Sequence, residues 1–189
     1  MNEIIPLSTP PPDLIETPRL NLRKPLVTDA LSVYATYSRD PEVSRYLLWR
    51  ADQTLDKIEE FLTRALQSWE RCTVATWAII LREHNSLIGM IDLRLEGEAN
   101  IGYVLARPYW NRGLMTEAVQ AIVDWALSQE HIHRVWAVCE VHNTASARVL
   151  EKVGFRREAT LERWMVFPNL GEAPRDCHRY GITKEEKGE

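Results

Sequence analysis

Long apolar runs and an excess of basic charge are both missing from this chain, and cysteine is scarce. The longest mainly apolar stretch, Val74 to Leu81, falls far short of the roughly 20 residues that cross a bilayer as a helix, so no membrane association is expected. Lys and Arg number 23 against 27 Asp and Glu, a net charge of −4. That balance lacks the basic field of a general nucleic-acid binder and weakly favours a substrate that arrives as a cation. The three cysteines, Cys72, Cys139 and Cys177, are odd in number, widely spaced and form no CxxC pair, a usage that fits a reducing cytoplasm. No Lys or Arg precedes Arg19, and Pro6 and the three prolines at 10–12 break the early apolar stretches, so no signal peptide is expected. His131 and His133 have no third ligand at metal spacing, and no metal is expected.

What the chain does have is ordinary globular composition, 45% hydrophobic and 26% charged over 189 residues, enough for one domain with its own core. Six of the ten prolines lie before residue 26, so residues 1–13 are expected to be a Pro-rich flexible arm, 14–184 the folded domain and 185–189 a charged tail. Arg19 to Arg23 alternates as a short strand. A helix is expected over Ala30 to Ser38, with Leu31, Tyr34, Ala35 and Ser38 on one face, and a second starts at Pro41 under an Asp40 cap. Leu55, Ile58, Phe61, Leu62, Ala65, Leu66 and Trp69 form one apolar stripe capped by Thr54. Strands follow at Val74–Leu81, Leu87–Leu95 and Ala99–Ala106, the first two joined as a hairpin. The later pattern is loop, helix, a strand at Arg134–Val141, a helix from Asn143 to a closing Gly154, and strands near Phe155–Val166 and Asp176–Thr183. The order describes a mixed α+β sheet protein rather than a doubly wound parallel sheet.

The stretch IGYVLARPYWNRGLMTE, Ile101 to Glu117, ends a strand, turns at Asn111-Arg112-Gly113 and begins a long helix near Thr116. The first amides of that helix lack carbonyl partners and point into the turn with the positive end of its dipole. Gly113 lets the backbone approach a ligand, and Arg112 adds a cationic fork. This is an anion site that suits a pyrophosphate; an ordinary capped helix with a surface arginine fits the same stretch taken alone.

A second segment, NTASARVLEKVGF from Asn143 to Phe155, follows a strand further on. The pair resembles the acyl-CoA-binding motifs of the GNAT superfamily of N-acetyltransferases. YWNRGLMTEA, NTASARVLEKVGF and the TPRLNLR opening are most similar to its RimJ/RimL branch, the ribosomal-protein N-terminal acetyltransferases and their relatives, over roughly residues 16–183.

The resemblance implies a single GNAT-type domain: a mixed, mostly antiparallel sheet with a central parallel splayed strand pair, flanked by helices. It implies acetyl-CoA as co-substrate, with Val104, Leu105 and Ala106 supplying backbone groups to the pantetheine arm. The amides of Arg112, Gly113, Leu114, Met115 and Thr116 would hold the pyrophosphate, and Asn143 would bond the arm. Three positions depart from the branch: Asn111 replaces a usual glycine, Met115 a small residue, and Leu150 the tyrosine acid of many members. Asparagine tolerates the left-handed region, so the turn is expected to form. Ser146, one helical turn before Leu150, matches a serine proposed as acid in this branch, and is otherwise a small packing residue. Glu140 and His142 are the base candidates nearest Asn143; both equally suit a solvated strand end.

The expected activity is transfer of acetyl to a primary amine by direct attack in a ternary complex, with an N-terminal α-amine of a protein or peptide as first acceptor. A small-molecule amine (polyamine, amino acid or antibiotic) and a non-catalytic acyl-CoA sensor are the alternatives. The protein is expected to be cytoplasmic, as a monomer or homodimer, without nucleic-acid partners.

Overall fold

Strand pairing in the computed structural model, which describes residues 4, 5 and 7–187, makes one eight-stranded sheet. The strands are β1 (Leu14–Glu16), β2 (Leu20–Arg23), β3 (Val74–Leu81), β4 (Ser86–Arg94), β5 (Ala99–Leu105), β6 (Arg134–Glu140), β7 (Arg156–Met165) and β8 (Arg175–Thr183), in the order β1-β2-β3-β4-β5-β6-β8-β7. Every neighbour is antiparallel except β5 and β6. That parallel pair joins only at Ala99 with Val135 and Asn100 with Trp136, although β5 runs on to Leu105 and β6 to Glu140. Beyond Asn100 the sheet is therefore parted, as the resemblance implied.

The helices are α1 (Ala30–Thr36), α2 (Pro41–Ser44), α3 (Leu55–Glu70), α4 (Leu114–Ser128), α5 (Thr144–Val153) and α6 (Lys184–Lys187). Period-two alternation sends successive residues of a central strand to opposite faces. In β3, Trp77 and Ile79 join a core with Met115, Val119, Ile122 and Ala126 of α4 and with Leu150 and Val153 of α5. Ala78 and Ile80 join a second core with Ala30 and Val33 of α1 and Ile58 and Leu62 of α3. Both faces being covered is why this strand reads as one apolar run. Trp77 stands edge-on between Trp69 and Trp125, with ring centroids 5.1 and 5.9 Å away.

Caps form where the sequence places them: Asp40 accepts from the Glu42 amide, Thr54 from Lys57 and Asn143 from Ser146. Gly154 closes α5 at φ +104°, and the amide of buried Phe155 bonds the Leu150 carbonyl. Two apolar stripes sit differently from expectation. In α1 the buried positions are Ala30 and Val33, with Leu31 at 66% exposure, because a 3₁₀ turn at Val27–Asp29 sets the rotation with which this short helix meets the sheet. In α3 the core positions are Ile58, Leu62, Ala65 and Trp69, spaced four, three and four apart, while Phe61 lies outside that stripe and is exposed. β1 has three residues, too short to show a period.

The arm at 1–13 is anchored where it is described. The Ile5 amide bonds the Leu95 carbonyl, Thr9 donates twice to Gln129, and the Trp77 indole bonds the Pro12 carbonyl. Extended backbone has unpaired amides and carbonyls, and here several find partners on the body. Met1 to Glu3, Pro6 and the tail end at 188–189 lie outside the described residues.

Candidate active site

The parted strands leave a gap between β5 and β6, and the ladder to β4 decides which backbone groups face it. Antiparallel pairs alternate between exchanging both hydrogen bonds and exchanging none. The Ala106 amide bonds the Ile88 carbonyl at 2.8 Å, so Val104, two residues back and opposite Met90, also bonds toward β4. Tyr103 and Leu105 then turn their backbone groups to the gap. The Leu105 carbonyl accordingly accepts from the Trp110 indole at 2.7 Å. Of the three residues expected to serve the pantetheine arm, Leu105 turns its backbone to the gap with its carbonyl already held by Trp110, while Val104 and Ala106 bond toward β4; the Tyr103 backbone, not among those three, also faces the gap. Register, which a sequence does not print, decided it.

At one end of the gap lies the start of α4. Asn111 and Gly113 adopt φ of +58° and +72°, so the asparagine takes the left-handed turn as expected. Gly113 is the N-cap and no side chain caps this end; the first intrahelical bond is from the Glu117 amide to the Gly113 carbonyl. The amides of Leu114, Met115 and Thr116 therefore have no carbonyl partner within the helix and carry the positive end of a 15-residue dipole. Met115 is 5% exposed and packs in the core, so its side chain does not crowd the turn. Arg112 lies over the Tyr109 ring at 5.7 Å. A second cation was not foreseen here: Arg19 donates from Nη1 to the Arg112 carbonyl at 2.9 Å, while Glu117 receives its Nε at 2.6 Å. Its sequence signal was the arginine of the TPRLNLR opening, in the bend just before the short strand β2.

Toward the other side stand the residues of β6 and α5. Asn143 Oδ1 accepts from the Ser146 amide at 3.2 Å, and its amide nitrogen takes no part in that cap. Ser146 Oγ lies 2.8 Å from the Tyr103 hydroxyl. Burial pushes the Cys139 thiol up to about 12, with Cys177 and Glu140 adding to the rise and the Ser146 hydroxyl opposing it, so Cys139 is no nucleophile.

Glu140 is not available as a base. Its side chain has 0% exposure. Oε1 accepts from Arg175 Nε at 2.8 Å and meets His142 Nδ1 at 3.1 Å, and Oε2 accepts from the His142 amide at 2.6 Å. Burial works to raise its pKa, but the bonds from His142 and Arg175 outweigh it and hold the carboxyl below the usual range. What Glu140 does is orient the His142 ring, on a side chain 70% exposed; in the tautomer that donates from Nδ1 to the carboxylate, Nε2 is left as the acceptor. Asp92, the carboxylate nearest this pair of strands on β4, is bound to Arg94 at 2.8 Å, and burial pushes its pKa up.

Among the described residues no group of three or more metal-type side chains comes together.

A sheet parted between its parallel strands, an uncapped helix start at one end of the gap and hydroxyl and imidazole groups beside it define an N-acetyltransferase domain. The chain belongs to the GNAT acetyltransferase family: its residues 19–156 match the family described as acetyltransferase (GNAT) domain. It is 32% identical over 158 residues to the uncharacterized N-acetyltransferase p20 of Bacillus licheniformis, covering 79% of this chain and 85% of that one. A GNAT-family acetyltransferase structure from Bacillus anthracis superposes with a TM-score of 0.79 at 28% identity, over 91% of this chain and 99% of the other. RimL, an α-N-protein acetyltransferase acting on a ribosomal protein and solved with coenzyme A, shares the fold at a TM-score of 0.79 and 18% identity, over 96% and 98% of the two chains.

Proposed function

We propose that the protein moves the acetyl group of acetyl-CoA to a primary amine by direct attack in a ternary complex, and that its preferred acceptor is the N-terminal α-amine of a protein or peptide. The observation that carries this is the gap between β5 and β6 with the uncapped α4 amides at its end. The amides from Arg112 to Thr116, with Arg112 and Arg19 beside them, bind the pyrophosphate. The Tyr103 and Leu105 backbone and the Asn143 amide group take the pantetheine arm. His142 Nε2 accepts the amine's proton, directly or through a water, and Ser146 gives a proton to the departing sulfur.

The acceptor follows from proton energetics. An α-amine has a reference pKa of about 7.7–8.0 and a lysine side chain about 10.4, so the reactive neutral lysine costs roughly 3–4 kcal/mol more at pH 7. A strong base or a desolvating pocket has to offset that. Here the buried carboxylate is already ionised and spoken for, and the imidazole beside it is exposed, which favours the less basic amine. The similarity to RimL supports the same acceptor class.

Release of CoA thiol at pH 7 tests this, with one peptide bearing a free α-amine competing against the same peptide N-acetylated but carrying lysine. Faster transfer to the α-amine is expected. Faster transfer to lysine would move a polyamine or other small-molecule acceptor ahead. Acetyl-CoA binding without thiol release to any amine would mark a sensor.

A further inference from the structure

Ser146 is not alone at its position, and its neighbour decides what its hydroxyl can do. Tyr103 comes from β5, across the gap from α5, and its hydroxyl meets Ser146 Oγ at 2.8 Å and the Ser146 carbonyl at 3.3 Å. The serine amide is meanwhile fixed by the Asn143 cap, so backbone and side chain of Ser146 are both held. A serine hydroxyl has one proton to give and two lone pairs that accept. If Ser146 spends its proton on the tyrosine, it has none for a leaving group; if it accepts from the tyrosine, its proton is left for a sulfur, the Cys139 thiol beside it at rest or a departing thiolate in the gap. Burial, with Cys139 and Tyr180 adding to it and the Ser146 bond opposing it, pushes the Tyr103 phenol above its ordinary value. Tyr103 therefore keeps its single proton, which faces two acceptors on Ser146, the nearer being Oγ at 2.8 Å and the more distant the carbonyl at 3.3 Å.

We infer that Tyr103 is a positioning residue for transfer: its hydroxyl donates to Ser146 Oγ and so turns the serine proton toward the departing sulfur. The inference rests on the proposed role of Ser146. The step balances simply. One N–C bond forms and one C–S bond breaks; the nitrogen loses a proton to His142 and solvent, and the sulfur gains one from Ser146, which recovers one from solvent. Tyr103 keeps its proton throughout. Leu150 carries no hydroxyl and is fully buried, so it cannot serve.

The test is a double-mutant cycle on the full chain, reading kcat and the KM for acetyl-CoA with the best α-amine peptide. Tyr103→Phe keeps the ring in place, and its unfolding midpoint is read first to establish that it folds. Expected are a loss of about 10-fold in kcat for Tyr103→Phe and about 10²-fold for Ser146→Ala, with KM for acetyl-CoA within twofold of the parent. The double variant should be no slower than Ser146→Ala alone, because a residue acting only through Ser146 has nothing left to act on. Losses that multiply in the double variant would overturn the inference, since a tyrosine that merely packs acts independently of the serine. Full kcat in Tyr103→Phe beside an impaired Ser146→Ala would sink the role of Tyr103 and leave that of Ser146 standing. Full kcat in Ser146→Ala would remove the serine's role, and the tyrosine's with it.

Discussion

Glu117 binds Arg19 twice across 98 residues of chain: its Oε1 accepts the Arg19 backbone amide at 2.8 Å and its Oε2 the guanidinium Nε at 2.6 Å. Thr17 adds a hydroxyl bond to Oε1 at 2.7 Å. Burial alone would raise the pKa of Glu117, but these bonds from Thr17 and Arg19 prevail and keep it ionised, in the first turn of α4 where negative charge is stabilised. The guanidinium, pinned along one edge, uses Nη1 to hold the Arg112 carbonyl. The bend between β1 and β2 is thereby tied to the Asn111–Gly113 turn.

Arg19→Gln should therefore weaken cofactor binding and spare the chemistry. The expected result is a KM for acetyl-CoA raised about 5- to 10-fold, roughly 1 kcal/mol of binding, with kcat within twofold. Glu117→Gln should act in the same direction and less strongly, since the charged acceptor that orients the guanidinium is lost while the cation remains. Initial-rate kinetics decide it; an unchanged KM in Arg19→Gln would show that the turn holds its shape without the clamp.

Gly113 sits at φ +72°, and a Cβ placed there would meet only Arg19 Nη2, at 3.6 Å. Substitution is thus a matter of backbone strain rather than crowding by the protein itself. Gly113→Val should cost about 1–2 kcal/mol, lowering the unfolding midpoint by about 2–8 °C at this chain length, and the chain should still fold. The same side chain would cover the amides of the helix start, so the rise in midpoint that acetyl-CoA gives the parent should vanish. A variant that keeps the full ligand-induced rise would remove the Arg112–Thr116 turn from the binding site.

Acid stability draws on Glu117 and Glu140, the two carboxyls with buried surface among those held below their ordinary pKa. Each binds its proton more weakly folded than unfolded, so its contribution is complete above the unfolded value of about 4.3 and is lost as pH falls through the lower folded value. Stability should be flat near neutrality and decline below about pH 5. Glu140→Gln should remove part of that acid slope and cost about 2–3 kcal/mol at pH 7, since Arg175 and the His142 amide lose a charged acceptor. Urea unfolding at pH 7 and pH 4 reads both; equal losses at the two pH values would mean that Glu140 is not ionised in the native state.

Local signals made much of this molecule legible. The caps at Asp40, Thr54 and Asn143, the glycine closing α5 and the turn at Asn111 to Gly113 follow from residue chemistry within a few positions, and they stand where the sequence puts them. What the sequence did not show is set by long-range register and rotation. Whether Val104 or Tyr103 faces the gap depends on which pairs of the β4–β5 ladder exchange bonds. Whether Leu31 or Val33 meets the core depends on how the 3₁₀ turn enters α1. In the same way, Glu140 was a strand residue beside a cleft until Arg175, brought over from β8, occupied it. The arm was read from its prolines alone, which say nothing of Gln129 waiting for Thr9.

The connection between β7 and β8 is tied to the segment that ends α2 by Asn169. Asn169 Nδ2 donates to the Ser44 carbonyl at the end of α2 and to the Trp49 carbonyl, both at 2.7 Å. The connection then enters β8 at Arg175, which binds the carboxylate that orients His142. If an acceptor amine reaches His142 between these segments, their separation sets the room it has. Asn169→Ala should leave two carbonyls without their donor, costing about 1–2 kcal/mol in stability, and should loosen the connection from α2. The KM for the acceptor peptide should rise several-fold while the KM for acetyl-CoA stays put, because α4 and its turn share no bond with Asn169. Asn169→Asp, which keeps the shape but offers carboxylate oxygens to two carbonyls, should be at least as impaired. If both variants bind the peptide as the parent does, the acceptor enters elsewhere and the Asn169 bridge serves only the fold.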